Sequence, residues 1–203
     1  MGSVDRILVD IDTQRDFMVR DGALYVPGSD LILPNVVRLF DYARRAGVPV
    51  MSTADCHPPG DPEFDEFGPH CVEGADGQAK LPETLLPQRV TIEPDEHVDH
   101  PERLLDSHQQ IIFHKTTLDV WSNPNAVRFV ESLEVGQYVA FGVATDYCVR
   151  AEVLGLLQRG RRVAVVSDAI RPLTEQTGRV AVEELTAAGA QWVTTDEIVG
   201  EQA

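Results

Sequence analysis

The chain has 203 residues, of which 43% are hydrophobic and 25% charged, and its formal net charge is −16. That length suits one α/β domain, read as spanning residues 1–203, with a single buried core. The acidic balance disfavours nucleic acid and anionic membrane, which both need a basic footprint, and no apolar run reaches the roughly 18 residues of a membrane span.

The opening MGSVDRILVD has no basic stretch leading into a cleavable apolar segment. The three cysteines, Cys56, Cys71 and Cys148, are too few and unevenly spaced for a disulfide framework. A reduced, cytoplasmic setting is expected.

In chain order, the candidate strands are Arg6–Asp12, Val48–Asp55, Gln110–Lys115, Tyr138–Val143, Arg162–Ala169 and Gln191–Thr195. Most are nearly continuous apolar runs, as in parallel strands covered on both faces. Helical stripes alternate with them. Leu33, Val36, Val37 and Phe40 form one, stopped by Gly47. Val149, Val153, Leu156 and Leu157 form a second, stopped by Gly160. Val180, Ala181, Leu185 and Ala188 form a third, stopped by Gly189. This alternation predicts a doubly wound, six-stranded, mainly parallel sheet with helices on both faces. Residues 56–109 break the rhythm. They are rich in Pro, Gly, Asp, Glu and His, and read as a long irregular insertion of functional character.

Ligands of open parallel sheets bind beyond the carboxyl ends of the strands, so the polar residues found there carry the chemistry. Asp12 ends the first strand. Asp55 ends the second, with His57 two residues on. Lys115 ends the third, and Cys148 follows the fourth across GVATDYC. A thiol just before a helix gains from the unpaired N–H groups there, and a nearby cation adds to that effect. A carboxylate beside it can take its proton and later return it to a leaving amine. Asp55 and His57 point to one face of an extended end and can share a metal ion, with His70 completing a three-ligand set. Glu63 or Asp61, in the intervening loop, is a candidate fourth ligand. Such donors suit zinc, iron or manganese without separating them; one divalent ion is expected, with zinc the first choice. Cys56 alternates to the opposite face, and it and Cys71 read as structural. His97, His100, His108 and His114 read as surface or packing residues.

These residues stand in patterns that resemble a known family. VDIDTQRDF is similar to the opening of the isochorismatase-like cysteine hydrolases. TADCHPPGDPEF and FGPHCVEG resemble the metal loop of its nicotinamidase branch, FHKT its lysine, and GVATDYCVRA its nucleophile turn. The resemblance covers nearly the whole chain in the right order. It implies Asp12 as proton acceptor and donor, Lys115 as its partner and Cys148 as nucleophile. It further implies Asp55, His57 and His70 as metal ligands, with Glu63 near a position that varies in the family. Phe17 and Phe67 match the aromatic positions that sandwich the substrate ring, and Tyr147 matches a residue lining the pocket. The backbone N–H groups of Ala144 and Cys148 match the oxyanion hole, and a cis peptide is expected between Val143 and Ala144. The implied activity is hydrolysis of nicotinamide to nicotinate and ammonia through a thioester, in NAD salvage, by a homo-oligomer acting on a small amide. The alternative is a related cysteine amidohydrolase acting on another amide or a ureido substrate.

Two departures bear on specificity. TTLDVWSNPNA follows Lys115, leaving Trp121 either in the pocket or packed outside it, and Arg15 stands where Asn is usual. A nucleotide-binding oxidoreductase would share the sheet, but DTQRDF follows the first strand where a glycine-rich phosphate turn would be needed. A catalytically silent binding module would have little use for acid, lysine and thiol at one edge.

Overall fold

The computed structural model describes residues 4–200. Residues 1–3, the first three of the opening read above for targeting signals, and residues 201–203 lie outside it. Seven strands form the sheet: β1 (Val4–Ile11), β2 (Val50–Asp55), β3 (Arg89–Ile92), β4 (Gln110–Lys115), β5 (Val135–Val143), β6 (Val163–Arg171) and β7 (Gln191–Val193). Their order is β3-β4-β2-β1-β5-β6-β7, and every pairing is parallel.

The expected doubly wound sheet is present, with one strand more than the six predicted. The additional strand, β3, lies in the stretch read as irregular. It is a four-residue edge strand in which only Ile92 is buried, so its apolar signal is two residues deep. The same stretch contains a short helix, Phe64–Phe67, and three 3₁₀ turns.

Helices cover both faces. Numbered along the chain they are α1 (Arg15–Met18), α2 (Ser29–Ala46), α3 (Phe64–Phe67), α4 (Pro124–Ser132), α5 (Arg150–Gln158), α6 (Glu175–Ala187) and α7 (Thr195–Gly200). On one side Ile32, Val36, Leu39 and Phe40 of α2, with Ile198 of α7, pack on Leu8, Val50, Val139 and Val166. On the other, Phe129 of α4, Val153 and Leu156 of α5 and Leu185 of α6 pack on Ile7, Val9, Phe113 and Val165. The α6 stripe is narrower than the sequence predicts. Ala181 and Leu185 are buried, whereas Val180 is 58% exposed and Ala188 faces solvent.

Two close approaches fix the layers that carry the site. A Cβ on Gly142, whose φ is 124°, would lie 2.0 Å from the Ile11 carbonyl oxygen, so only glycine lets β5 lie so close to the end of β1. A Cβ on Gly155 would lie 1.8 Å from Nε1 of Trp121. Trp121 is thus packed against α5: its Nε1 donates to the Ala151 carbonyl at 3.4 Å, and the Arg159 guanidinium stacks 4.1 Å above its ring. Of the two options for Trp121, it is the packed one that the fold adopts. Gly155→Ala should destabilise the protein by about 1–3 kcal/mol through overpacking, measurable as a lowered denaturant midpoint with unchanged slope.

Candidate active site

The chain runs from β1 outward through β2 and β4, then crosses to β5 on the other side of β1. This reversal between β1 and β5 opens a crevice at the carboxyl edge. Four adjacent strands each deliver one side chain there, in the spatial order Lys115 (β4), Asp55 (β2), Asp12 (β1) and Cys148 (after β5). Parallel register sets Asp55 directly beside Lys115. Asp12 leaves β1 with a φ of 49°, a left-handed conformation that Asp tolerates better than most residues. Cys148 sits within a π-helical turn, Thr145–Val149, one turn earlier than the helix start expected at Val149. The peptide before that turn, Val143–Ala144, is cis.

The three residues expected to act together do meet. Lys115, fully buried, lies 3.0 Å from Asp12 Oδ2 and 3.6 Å from Cys148 Sγ, and it donates to Asp55 Oδ1. The Cys148 sulfur lies within 4.8 Å of an Asp12 carboxylate oxygen, and Asp12 Oδ1 accepts from Thr53 Oγ1 at 2.7 Å.

Burial raises the Asp12 carboxyl above its ordinary range even though Lys115 opposes this. Burial also works against Asp55 ionising, but Lys115 and His57 outweigh it and hold that carboxyl low. Lys115 would lose its proton to burial were it not for the two carboxylates, which push its pKa well up. Burial, with Asp12 and Asp55 close by, pushes the Cys148 thiol well up. Helix-end stabilisation therefore does not prevail here: the lone lysine is already shared by two carboxylates, and a thiolate would add a third negative charge. Burial thus favours a protonated sulfur close to a carboxylate of raised basicity, an arrangement suited to proton transfer on demand.

A second constellation adjoins the first. Asp55 Oδ2 lies 3.7 Å from His57 Nε2 and 4.0 Å from His70 Nε2, and the latter is 3.9 Å from Glu63 Oε1. These separations are too long for hydrogen bonds but close to those of donors around one ion. His57 is wholly buried, and neither ring nitrogen has a hydrogen-bond partner among the described residues. The far nitrogen of each ring faces an acceptor: His70 Nδ1 is 2.8 Å from the Gly68 carbonyl, and His57 Nδ1 is 3.2 Å from Asp61 Oδ2. Protons on those nitrogens leave both Nε2 lone pairs directed at the shared point. The donor set fits a divalent ion. Of the two loop acids, Glu63 faces the cluster while Asp61 supports His57 from behind.

The pocket above these groups is narrow, with a cavity volume of about 30 Å³. Phe17, Phe67, Tyr147, Ala144 and Cys148 line it, as do Asp55, Glu63 and His70. Phe67 meets Tyr147 edge-on at 5.4 Å, and Phe17 lies 5.6 Å from His70. Arg15 is elsewhere, paired with Asp21 at the surface. Of the remaining histidines, His97, His100 and His108 have no contact with the pocket.

Several contributors were not read from the sequence. Leu24, Val26, Leu118 and Leu173 complete the apolar wall. Phe64 packs edge-on against both His57 and His70. The Gln14 side chain accepts from the Asp55 N–H at 2.7 Å and donates to the Asp55 carbonyl at 2.8 Å, clamping the end of β2 to the segment after β1. Asp16 accepts from the Cys71 N–H at 2.7 Å and so holds the segment bearing His70.

A sheet whose reversal point carries a Cys–Asp–Lys cluster beside a His–carboxylate metal set defines a class, and the sequence agrees. Residues 6–197 match the isochorismatase domain, and the chain belongs to the isochorismatase family. It is similar to the nicotinamidase of Escherichia coli (strain K12), 30% identical over 91% of this chain and 92% of that one. It is also similar to the nicotinamidase of Saccharomyces cerevisiae, 24% identical over 84% of this chain and 89% of that one. Among solved structures, the pyrazinamidase of Pyrococcus horikoshii in complex with zinc superposes with a TM-score of 0.77. It is 26% identical, covering 94% of this chain and 99% of that one.

Proposed function

We propose that this protein is a nicotinamidase, hydrolysing nicotinamide to nicotinate and ammonia through a thioester on Cys148. One observation carries the reading: Asp12, Lys115 and Cys148 converge at the floor of an aromatic pocket whose wall holds a metal-binding set.

In this scheme Phe17 and Phe67 flank a flat ring and Tyr147 closes its edge. Asp12 takes the Cys148 proton as the sulfur attacks the amide carbonyl carbon, forming the C–S bond. The oxygen's developing charge is held by the backbone N–H groups of Ala144 and Cys148, each such donor contributing about 3 kcal/mol in comparable sites. Asp12 returns the proton to the nitrogen, the C–N bond breaks and ammonia leaves. It then takes a proton from a water that attacks the thioester, and nicotinate departs as the thiol re-forms. Lys115 keeps the two carboxylates compatible in a dry site throughout. Asp55, His57 and His70, with Glu63 at the fourth position, would hold the ion, for which zinc is the first choice. When bound, it supplies a Lewis-acid point that a ring nitrogen can address, either directly or through water.

The lining also favours a neutral aromatic amide over a carboxylated ureido substrate. Its charged members are Asp55 and Glu63, and no Arg or Lys appears among the described residues that line it. Apart from the bound ion, a substrate carboxylate would find no cationic side chain on that lining to answer it.

Ammonia release measured on a panel of amides tests the reading. Nicotinamide and pyrazinamide should both be turned over. Chelation should lower the rate on the order of 10²-fold, the scale of losing one positioning contact, and added divalent metal should restore it. Ammonia from ureido compounds alone would overturn the assignment.

A further inference from the structure

Strand alternation sends Asp55 and Lys115 to one face and their neighbours Cys56 and His114 to the other. There, β3 pairs with β4 up to Ile92 and Phe113, so Glu93 arrives beside His114. Cys56 Sγ, a Glu93 carboxylate oxygen and a His114 ring nitrogen all lie within 4.8 Å of one another. The pocket does not include any of the three.

The geometry points to a second, structural metal site formed by Cys56, Glu93 and His114, which takes a zinc-class divalent ion and ties the ends of β2, β3 and β4 together. Thiolate, imidazole and carboxylate are a zinc-type donor set, with water for the fourth position. Zinc at ordinary bond lengths holds such donors about 3.3–3.6 Å apart, so closure needs movements of roughly one ångström. Glu93, with its side chain 48% exposed, is free to make them.

One contact bears on this set. His114 Nδ1 is paired with Glu93 Oε1 at 2.8 Å without the alignment of a hydrogen bond, and the pair must open by roughly half an ångström or more to become co-ligands. Burial, with Glu93 and Glu73 nearby, pushes the Cys56 thiol up to about 11, so an ion here must displace that proton, as zinc does at a coordinating thiol. The main chain already fixes the ligands' spacing, since the Cys56 N–H donates to the Lys115 carbonyl at 2.8 Å. Edge strand β3, short and half-exposed, is the element that an ion here would secure.

The test is metal stoichiometry on the full chain, stripped, reloaded with zinc chloride, desalted and measured by elemental mass spectrometry. Wild type should hold two equivalents. Cys56→Ser and His114→Ala should each hold one, and Glu93→Gln, at an exposed position that does not endanger the fold, should bind the second equivalent at least tenfold more weakly. His57→Ala reports the pocket site and should also retain one, so failure of either site is visible separately. In a Cys148→Ala background, cobalt chloride should give a near-ultraviolet sulfur-to-cobalt band that Cys56→Ser removes. One equivalent in wild type, two that survive Cys56→Ser, or a missing cobalt band would each overturn the second site.

Discussion

Replacing Cys148 by alanine is expected to abolish ammonia release from nicotinamide, a loss on the order of 10⁴-fold or more, as when a covalent nucleophile is removed elsewhere. The fold should survive. Cys148 is 6% exposed, and trimming one sulfur at the floor of the pocket leaves a void that water or neighbours can fill, at a cost of about 1 kcal/mol. Asp12 keeps its hydrogen bond from Thr53 and its ion pair with Lys115. A thermal melt beside the ammonia assay separates the two effects. Residual turnover within about tenfold of wild type would remove Cys148 from the chemistry.

Lys115→Met should have the largest effect on stability. The ammonium is buried between Asp12 and Asp55 and close to the thiol. Losing one partner of a buried ion pair leaves a charge uncompensated and costs about 3–5 kcal/mol. Here two carboxylates would face each other across a dry gap. Asp12→Asn in addition removes one of them, so the double variant should recover roughly 2 kcal/mol of the loss, a coupling expected only between groups in contact. Urea unfolding of the metal-free proteins measures this directly. Binding a divalent ion at Asp55 should soften the defect, because the ion supplies positive charge to one of the stranded acids. A Lys115→Met midpoint within about 0.5 kcal/mol of wild type would mean that the lysine does not balance the site.

The edge of the sheet was unusually legible because parallel strands write their ends clearly. β4 runs over Gln110–Lys115, the span read from the sequence, since a doubly covered strand is apolar until it reaches the carboxyl edge, where a charged residue stops it. The same logic picked out Asp12, Asp55 and Lys115 without any knowledge of their separation, and the structure brings all three together with Cys148. Half-covered elements were harder to read. β3 offers only Val90 and Ile92 to the core side and lies among prolines and acids. α4 was passed over despite an Asn123 cap that accepts from the Asn125 N–H at 3.0 Å and a proline at its first position, both signals present in the letters.

Other features exist only in three dimensions. Leu118 reaches the pocket while Trp121, three residues on, packs away from it against Gly155. Gln14 and Asp16 act by clamping backbone more than forty residues away. The protonation of Cys148 depends on how many charges share one ammonium, a balance that no local motif expresses.

The measurement that bears most directly on the whole scheme is interception of the acyl-enzyme. Turnover of nicotinamide in hydroxylamine should divert part of the product to nicotinohydroxamate, and rapid acid quench should yield a nicotinoyl adduct that maps to the Cys148 peptide. Undiminished nicotinate with no hydroxamate, or an adduct on Cys56 or Cys71, would contradict a mechanism built on this sulfur.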